Sequence, residues 1–172
     1  REFAERVAVL VPYMAHSAGT LIALGADEIV MGTMAELGPV DPTVANPFNP
    51  LTPEEDLPEE APRPRPRIPI SVEDVTAYLD LVTQRAKLDK AGLASAVERL
   101  SIEVHPLALG NIVRNHNLIR HLARRLLEMH MDKEAEEIDS IVGTLTEKLY
   151  AHDYLITREE AKSIGLKVVR PP

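Results

Sequence analysis

Apolar and polar positions alternate in different rhythms along this chain, and each rhythm predicts a different kind of element. From Val7 to Val11 the run is short, apolar and β-branched, and Pro12 closes it, which predicts a strand. Ser17, Ala18 and Gly19 are small residues suited to a sharp turn. Leu21, Ile22 and Leu24 predict a short apolar helix ending at Gly25, and residues 28–31 predict a second strand. From Ser71 onward the rhythm is helical. Val72, Val75, Tyr78, Leu79 and Val82 fall on one helical face, and Ser71 with Asp74 has the spacing of a capping box. A second helix is expected over residues 93–102. A third starts near Pro106, a good first-turn residue, and continues to about Met129. Its stripe is Leu109, Ile112, Val113, Ile119, Leu122, Leu126 and Leu127, with Arg114, Arg120, Arg124 and Arg125 mostly elsewhere. A fourth, from Lys133 to about Tyr150, carries Ile138, Ile141, Leu145 and Leu149. Thr157 and Glu160 form a clear capping box, Gly165 stands where a helix C-terminus wants it, and residues 166–169 close as a strand.

The stretch from Pro42 to Pro69 follows none of these rhythms. It holds most of the chain's 14 prolines, an acidic run around Glu54–Glu60 and the alternating Pro62–Pro69 run. Such composition buries little apolar surface, so a mobile linker or extended polyproline segment is expected, with a peptide-recognition arm as the alternative. The chain therefore divides into an α/β portion over 1–45, a proline-rich segment over 46–70, and a helical region over 71–172 that includes the closing helix and strand.

Composition narrows the function classes. The chain has 172 residues, enough for one domain with a core, and its 3% aromatic content predicts a core of Leu, Ile, Val and Ala. A net charge of −8 argues against a nucleic-acid partner. Without cysteine there is neither a disulfide nor a thiolate metal site. His105, His116, His121 and His130 offer no ligand pair, and no phosphate-binding loop is present, so no metal and no cofactor are expected. No apolar run approaches the roughly 18 residues a membrane helix needs. The chain starts at Arg1, in what reads as the lead-in to a mid-sheet strand, and is expected to be a fragment.

Ser17 is the residue with the most chemistry. At a helix N-terminus it would meet unpaired backbone N–H groups and the positive end of the helix dipole, which stabilise an alkoxide or an oxyanion. The same position suits an ordinary N-cap. A serine nucleophile needs a base within reach, and the interval from Met34 to Ile70 holds neither lysine nor histidine. Outside that interval His152 stands with Asp153 beside it and suits a capping or packing role at the turn before the last helix. His16 adjoins Ser17, where neighbouring side chains usually diverge, and Lys87 and Lys90 read as solvated helix residues. Gly38, before Pro39, suits a tight turn.

Ser17 to Leu24, Ala26 to Met31 and Leu37 to Pro42, together with His152 to Thr157, Glu160 to Lys162 and Ile164 to Val168, resemble the serine dehydrogenase proteinase family. That family is related to signal peptide peptidase A and to the Clp protease within the Clp/crotonase superfamily. Val104 to Asn111 followed by Arg114 resembles the family's long-helix branch. The resemblance implies a Clp/crotonase-like α/β spiral fold, largely helical toward the C-terminus, with strand–helix units expected before the region seen here. It also implies a serine peptidase: Ser17 as nucleophile, His152 as base, and backbone at Ala18 and Gly38 around the oxyanion and substrate. Relatives of signal peptide peptidase A place a lysine base forty to fifty residues after the serine, and its absence here is the main departure. The alternative is a non-catalytic scaffold that binds a partner or assembles a ring. A peptide or protein substrate and a homo-oligomer are expected, in the cytoplasm or at a membrane through a region outside this stretch.

Overall fold

In a computed structural model, residues 5–40, 43–44, 46–58, 64–149 and 154–171 are described. Strands β1 (Ala8–Val11) and β2 (Met14–Ala15) lead into helix α1 (Ala18–Leu24), followed by β3 (Glu28–Met31), β4 (Glu36–Leu37) and β5 (Thr43–Val44). A single 3-10 turn (Glu54–Asp56), β6 (Ile70–Ser71) and helices α2 (Val72–Asp80), α3 (Lys90–Glu103), α4 (Pro106–Glu128) and α5 (Ala135–Gly143) come next. β7 (Ile156–Thr157), α6 (Arg158–Ile164) and β8 (Val168–Val169) close the chain. The architecture is mixed α/β. It falls into two compact units: residues 1–41 with 117–172, and residues 42–116.

In the first unit, β1, β3 and β8 form a parallel sheet in that order, with Val11 opposite Met31 and Ile29 opposite Val168. A second small sheet pairs β2 with β4 in parallel and β4 with β7 in antiparallel, placing Ala15 opposite Leu37 and Leu37 opposite Ile156. The parallel connections need crossovers, and α1 supplies the one between β1 and β3. The core is aliphatic, as the composition predicts. Leu24, Met31, Leu37, Leu127, Leu145 and Ile156 are fully buried, each large aliphatic contributing about 1.5–3 kcal/mol of transfer free energy. Ile119, Leu126 and Leu127 from α4 and Ile138, Ile141 and Val142 from α5 complete it. Arg120 pairs with Glu147 and Arg124 with Asp139, binding α4 to the α5 segment across the exposed rim. At the closing helix, the Thr157 side chain accepts from the Glu160 N–H and Gly165 takes the left-handed conformation at φ 109°. Both follow the predicted signals.

The second unit has its own small core, in which Val72, Val75 and Ile112 pack with Ile70, Leu100 and Leu109. β5 pairs with β6 in antiparallel, Thr43 opposite Ser71 and Val44 opposite Ile70. The proline-rich segment continues that pairing outward: Ile68 N–H donates to Pro50 C=O at 2.9 Å and Thr52 N–H to Pro66 C=O at 3.0 Å. Asn49, buried, donates its Nδ2 to Ile68 C=O at 3.0 Å, and Arg67 donates to Asn49 C=O at 2.5 Å. The closing helix and strand belong to the first unit together with α5, and α4 contributes its two ends to different units.

Candidate active site

Ser17 stands between β2 and α1 with φ 49° and ψ −109°, the left-handed half of the map. A residue with a side chain adopts such a conformation at a cost of about 1–3 kcal/mol, and only where its surroundings over-determine it. Several contacts do so here. Ser17 N–H donates to Pro39 C=O at 3.2 Å, Gly19 N–H to His16 C=O at 2.8 Å, and Leu21 N–H to Ser17 C=O at 3.1 Å. Thr20, wholly buried, sets its hydroxyl between Ala15 C=O at 2.7 Å and Gly38 C=O at 2.8 Å, joining the ends of β2 and β4 beneath the turn. Gly19 lets α1 start close to β2, because a Cβ there would lie 3.3 Å from the Ala15 Cβ.

The serine does not cap its helix: its side chain makes no capping hydrogen bond. A cap residue uses extended backbone to turn its oxygen back onto the first N–H groups, and a φ of 49° does not provide that. Ser17 is partly buried and Ala18, the first helical residue, is exposed. The Ala18 N–H lies in the first turn, where no intrahelical acceptor exists. That N–H follows directly on the strained backbone of Ser17.

Gly38 N–H donates to Ala15 C=O at 2.9 Å, and its C=O accepts from the Thr20 hydroxyl at 2.8 Å. What requires glycine there is His16. A Cβ on residue 38 would come within 2.6 Å of His16 Cγ and 2.7 Å of its Cδ2. The imidazole lies across the Gly38 backbone and carries Nε2 to 3.7 Å from Glu36 Oε1. Sequence reasoning passed over Glu36. The available signal was the glycine itself, since a glycine inside a strand pattern marks the close approach of another group.

His152 and Asp153 lie outside the described residues. Just after them, Tyr154 donates its hydroxyl to Glu160 Oε1 at 2.7 Å, and that hydrogen bond, aided by the carboxylate charge, raises the phenol above its ordinary value. His130 serves the fold, its Nε2 lying 2.8 Å from Leu24 C=O at the end of α1. His105 stacks on Phe48 with ring centres 4.9 Å apart, and Lys87 and Lys90 are exposed residues of the second unit. Among the described residues no group of three His, Cys, Asp or Glu is placed to hold a metal ion, and no helix is long and apolar enough to cross a membrane.

Residues 1–52 match the family of ClpP-like SDH-type serine proteinases, which bears out the resemblance read from Ser17 through Pro42. Two uncharacterized proteins of Methanocaldococcus jannaschii are similar over nearly the whole chain. One is 34% identical over 162 residues, 93% of this chain and 42% of that protein. The other is 27% identical over 169 residues, 98% of this chain and 44% of that protein. The chain therefore spans less than half the length of the curated relatives it matches. No solved structure matches it.

Proposed function

We propose that the first unit is the nucleophile-bearing part of a serine peptidase, with Ser17 attacking the substrate carbonyl. The observation that carries this reading is the backbone of Ser17, held at φ 49° and ψ −109° with its side chain left out of any cap. Strain of this kind concentrates at functional sites, and a sharp strand-to-helix turn presents a hydroxyl outward. Its place in the ClpP-like stretch agrees with the assignment. The Ala18 N–H supplies one oxyanion donor at the positive end of α1. A peptide substrate, His152 as base, a Clp/crotonase-type spiral arrangement and a homo-oligomeric assembly belong to the same proposal. The second reading, a non-catalytic scaffold with the same turn, draws on the lack of any lysine or histidine from Met34 to Ile70.

A fluorophosphonate probe on the full-length protein separates the two. The peptidase reading expects covalent labelling and peptide hydrolysis, both abolished by Ser17→Ala. Because Ser17 makes no capping bond, the substitution is expected to change folding stability by less than about 1 kcal/mol. Labelling that persists in Ser17→Ala removes the assignment, and a wild type that neither labels nor hydrolyses favours the scaffold.

A further inference from the structure

We propose that His16 is a positioning residue for Ser17, locking the strained turn through an Nε2–H directed at the Glu36 carboxylate; the proposal rests on Ser17 being the nucleophile. Three observations meet at this residue. First, its ring fills the space over Gly38 so closely that a Cβ at 38 would fall 2.6 Å from Cγ and 3.0 Å from the His16 Cβ. Only glycine admits the ring in that position. Second, Nε2 is buried and has no hydrogen-bond partner among the described residues, while Glu36 Oε1 stands 3.7 Å away. A buried polar nitrogen without a partner is costly, and a movement of less than about 1 Å brings this pair into hydrogen-bond range. Third, the backbone on both sides of Ser17 is tied to one short stretch of chain. Glu36 N–H donates to Tyr13 C=O at 2.8 Å, Gly38 N–H to Ala15 C=O at 2.9 Å, and Ser17 N–H to Pro39 C=O at 3.2 Å.

The His16 side chain is the link in that set that belongs to the residue immediately before the serine. It packs on Gly38 and carries Nε2 to 3.7 Å from Glu36 Oε1, while its own carbonyl accepts the Gly19 N–H at 2.8 Å and so sets the first turn of α1. Without the ring, the residue before Ser17 loses its side-chain hold on β4, and the backbone has a route to relax toward an ordinary cap conformation. The histidine does not touch the substrate in this scheme. It fixes where the Ser17 hydroxyl points.

The test uses the full-length protein and two independent readouts. In steady-state peptide hydrolysis, His16→Ala is expected to lower kcat about 10²-fold with little change in KM, the size of effect that a small misplacement of a reacting group produces. His16→Phe keeps a ring over Gly38 but has no N–H, and Glu36→Met removes the acceptor. Each is expected to lose part of kcat, and the two combined lose no more than one alone, because they break the same link. Glu36→Gln, which keeps an acceptor, is expected to restore the rate. The second readout is the ¹⁵N spectrum of the His16 imidazole, which reports the Nε2–H form in the wild type and shifts in Glu36→Met. Unchanged kcat in His16→Ala, additive losses in the combined variant, or an imidazole protonated only at Nδ1 would each overturn the proposal. A wild type that fails to label or hydrolyse defeats the nucleophile reading instead. In that case the nitrogen spectrum, with the amide exchange of Ser17 and Leu21 in His16→Phe, decides the positioning role by itself.

Discussion

Gly165 and Arg158 show how much of this molecule turns on single side chains, or on the lack of one. Gly165 ends α6 at φ 109°, and a Cβ there would meet Ile141 Cδ1 at 3.2 Å. Gly165→Ala meets both backbone strain and a crowded core, so it is expected to destabilise by about 1 kcal/mol or more, read as a lower denaturant midpoint. Arg158 is buried and donates to Glu159 Oε1 from Nε at 3.1 Å and Nη2 at 2.9 Å, and to Met31 C=O at 3.4 Å. The hydrogen bonds from Arg158 hold the Glu159 carboxyl below its ordinary 4.5. A carboxyl lowered in the folded state contributes stability above its unfolded value and loses it as the pH falls through the folded one. Glu159→Gln is therefore expected to flatten the acid limb of a stability–pH profile below about pH 4.5 and leave its slope at neutral pH unchanged. An unaltered acid limb would show that the pair contributes nothing, as exposed pairs often do.

At the scale of elements, short-range signals were the legible ones. The Thr157 cap, the Gly165 stop, Pro106 at the head of α4 and the β1–α1–β3 order all depend on residues within a few positions of one another, and all are found where the pattern places them. The small sheet of β2, β4 and β7 was not legible, because two-residue strands carry no alternation to read and exist only through their partners. The same is true of the site. Ser17 announces itself by its neighbours in sequence, whereas the His16–Glu36–Gly38 cluster needs β2 and β4 side by side before it exists. The proline-rich segment makes a related point, since its prolines accept hydrogen bonds through C=O while Thr52 and Ile68 supply the N–H groups. Hydrogen exchange is expected to protect the Thr52 and Ile68 amides more than the exposed 54–56 turn. Equal, fast exchange across the whole segment would mean that the ladder opens freely and that the segment behaves as a mobile linker.

On the scale of the whole molecule, the question is what the remaining apolar surface does. The apolar stripes of the long helices are largely used within the chain: Ile119, Leu126 and Leu127 with Ile138, Ile141 and Leu145 in one core, Leu109 and Ile112 in the other. Two arginines of α4 are engaged within the chain, Arg120 with Glu147 and Arg124 with both Glu128 and Asp139. Within the first unit, α4 leaves Leu118 and Leu122 outside, with Met129 just past its end, spaced to share one helical face, and Leu118 is half exposed at 50%. His121 and Arg125 also lie exposed on α4. An apolar face of this kind on a chain of net charge −8 favours contact through packing rather than through a broad basic patch, and a second copy offers the same face in return. Sedimentation of the full-length protein at micromolar concentration is expected to show a homo-oligomer, and Leu118→Glu to shift it toward monomer. The same substitution, at an exposed position, is expected to change stability by no more than about 0.5 kcal/mol. A wild type that sediments as a monomer removes the assembly from the proposed function. An oligomer indifferent to Leu118→Glu moves the contact to other exposed apolar residues of the same unit, with Leu10, Ile22 and Met34 next to be tested.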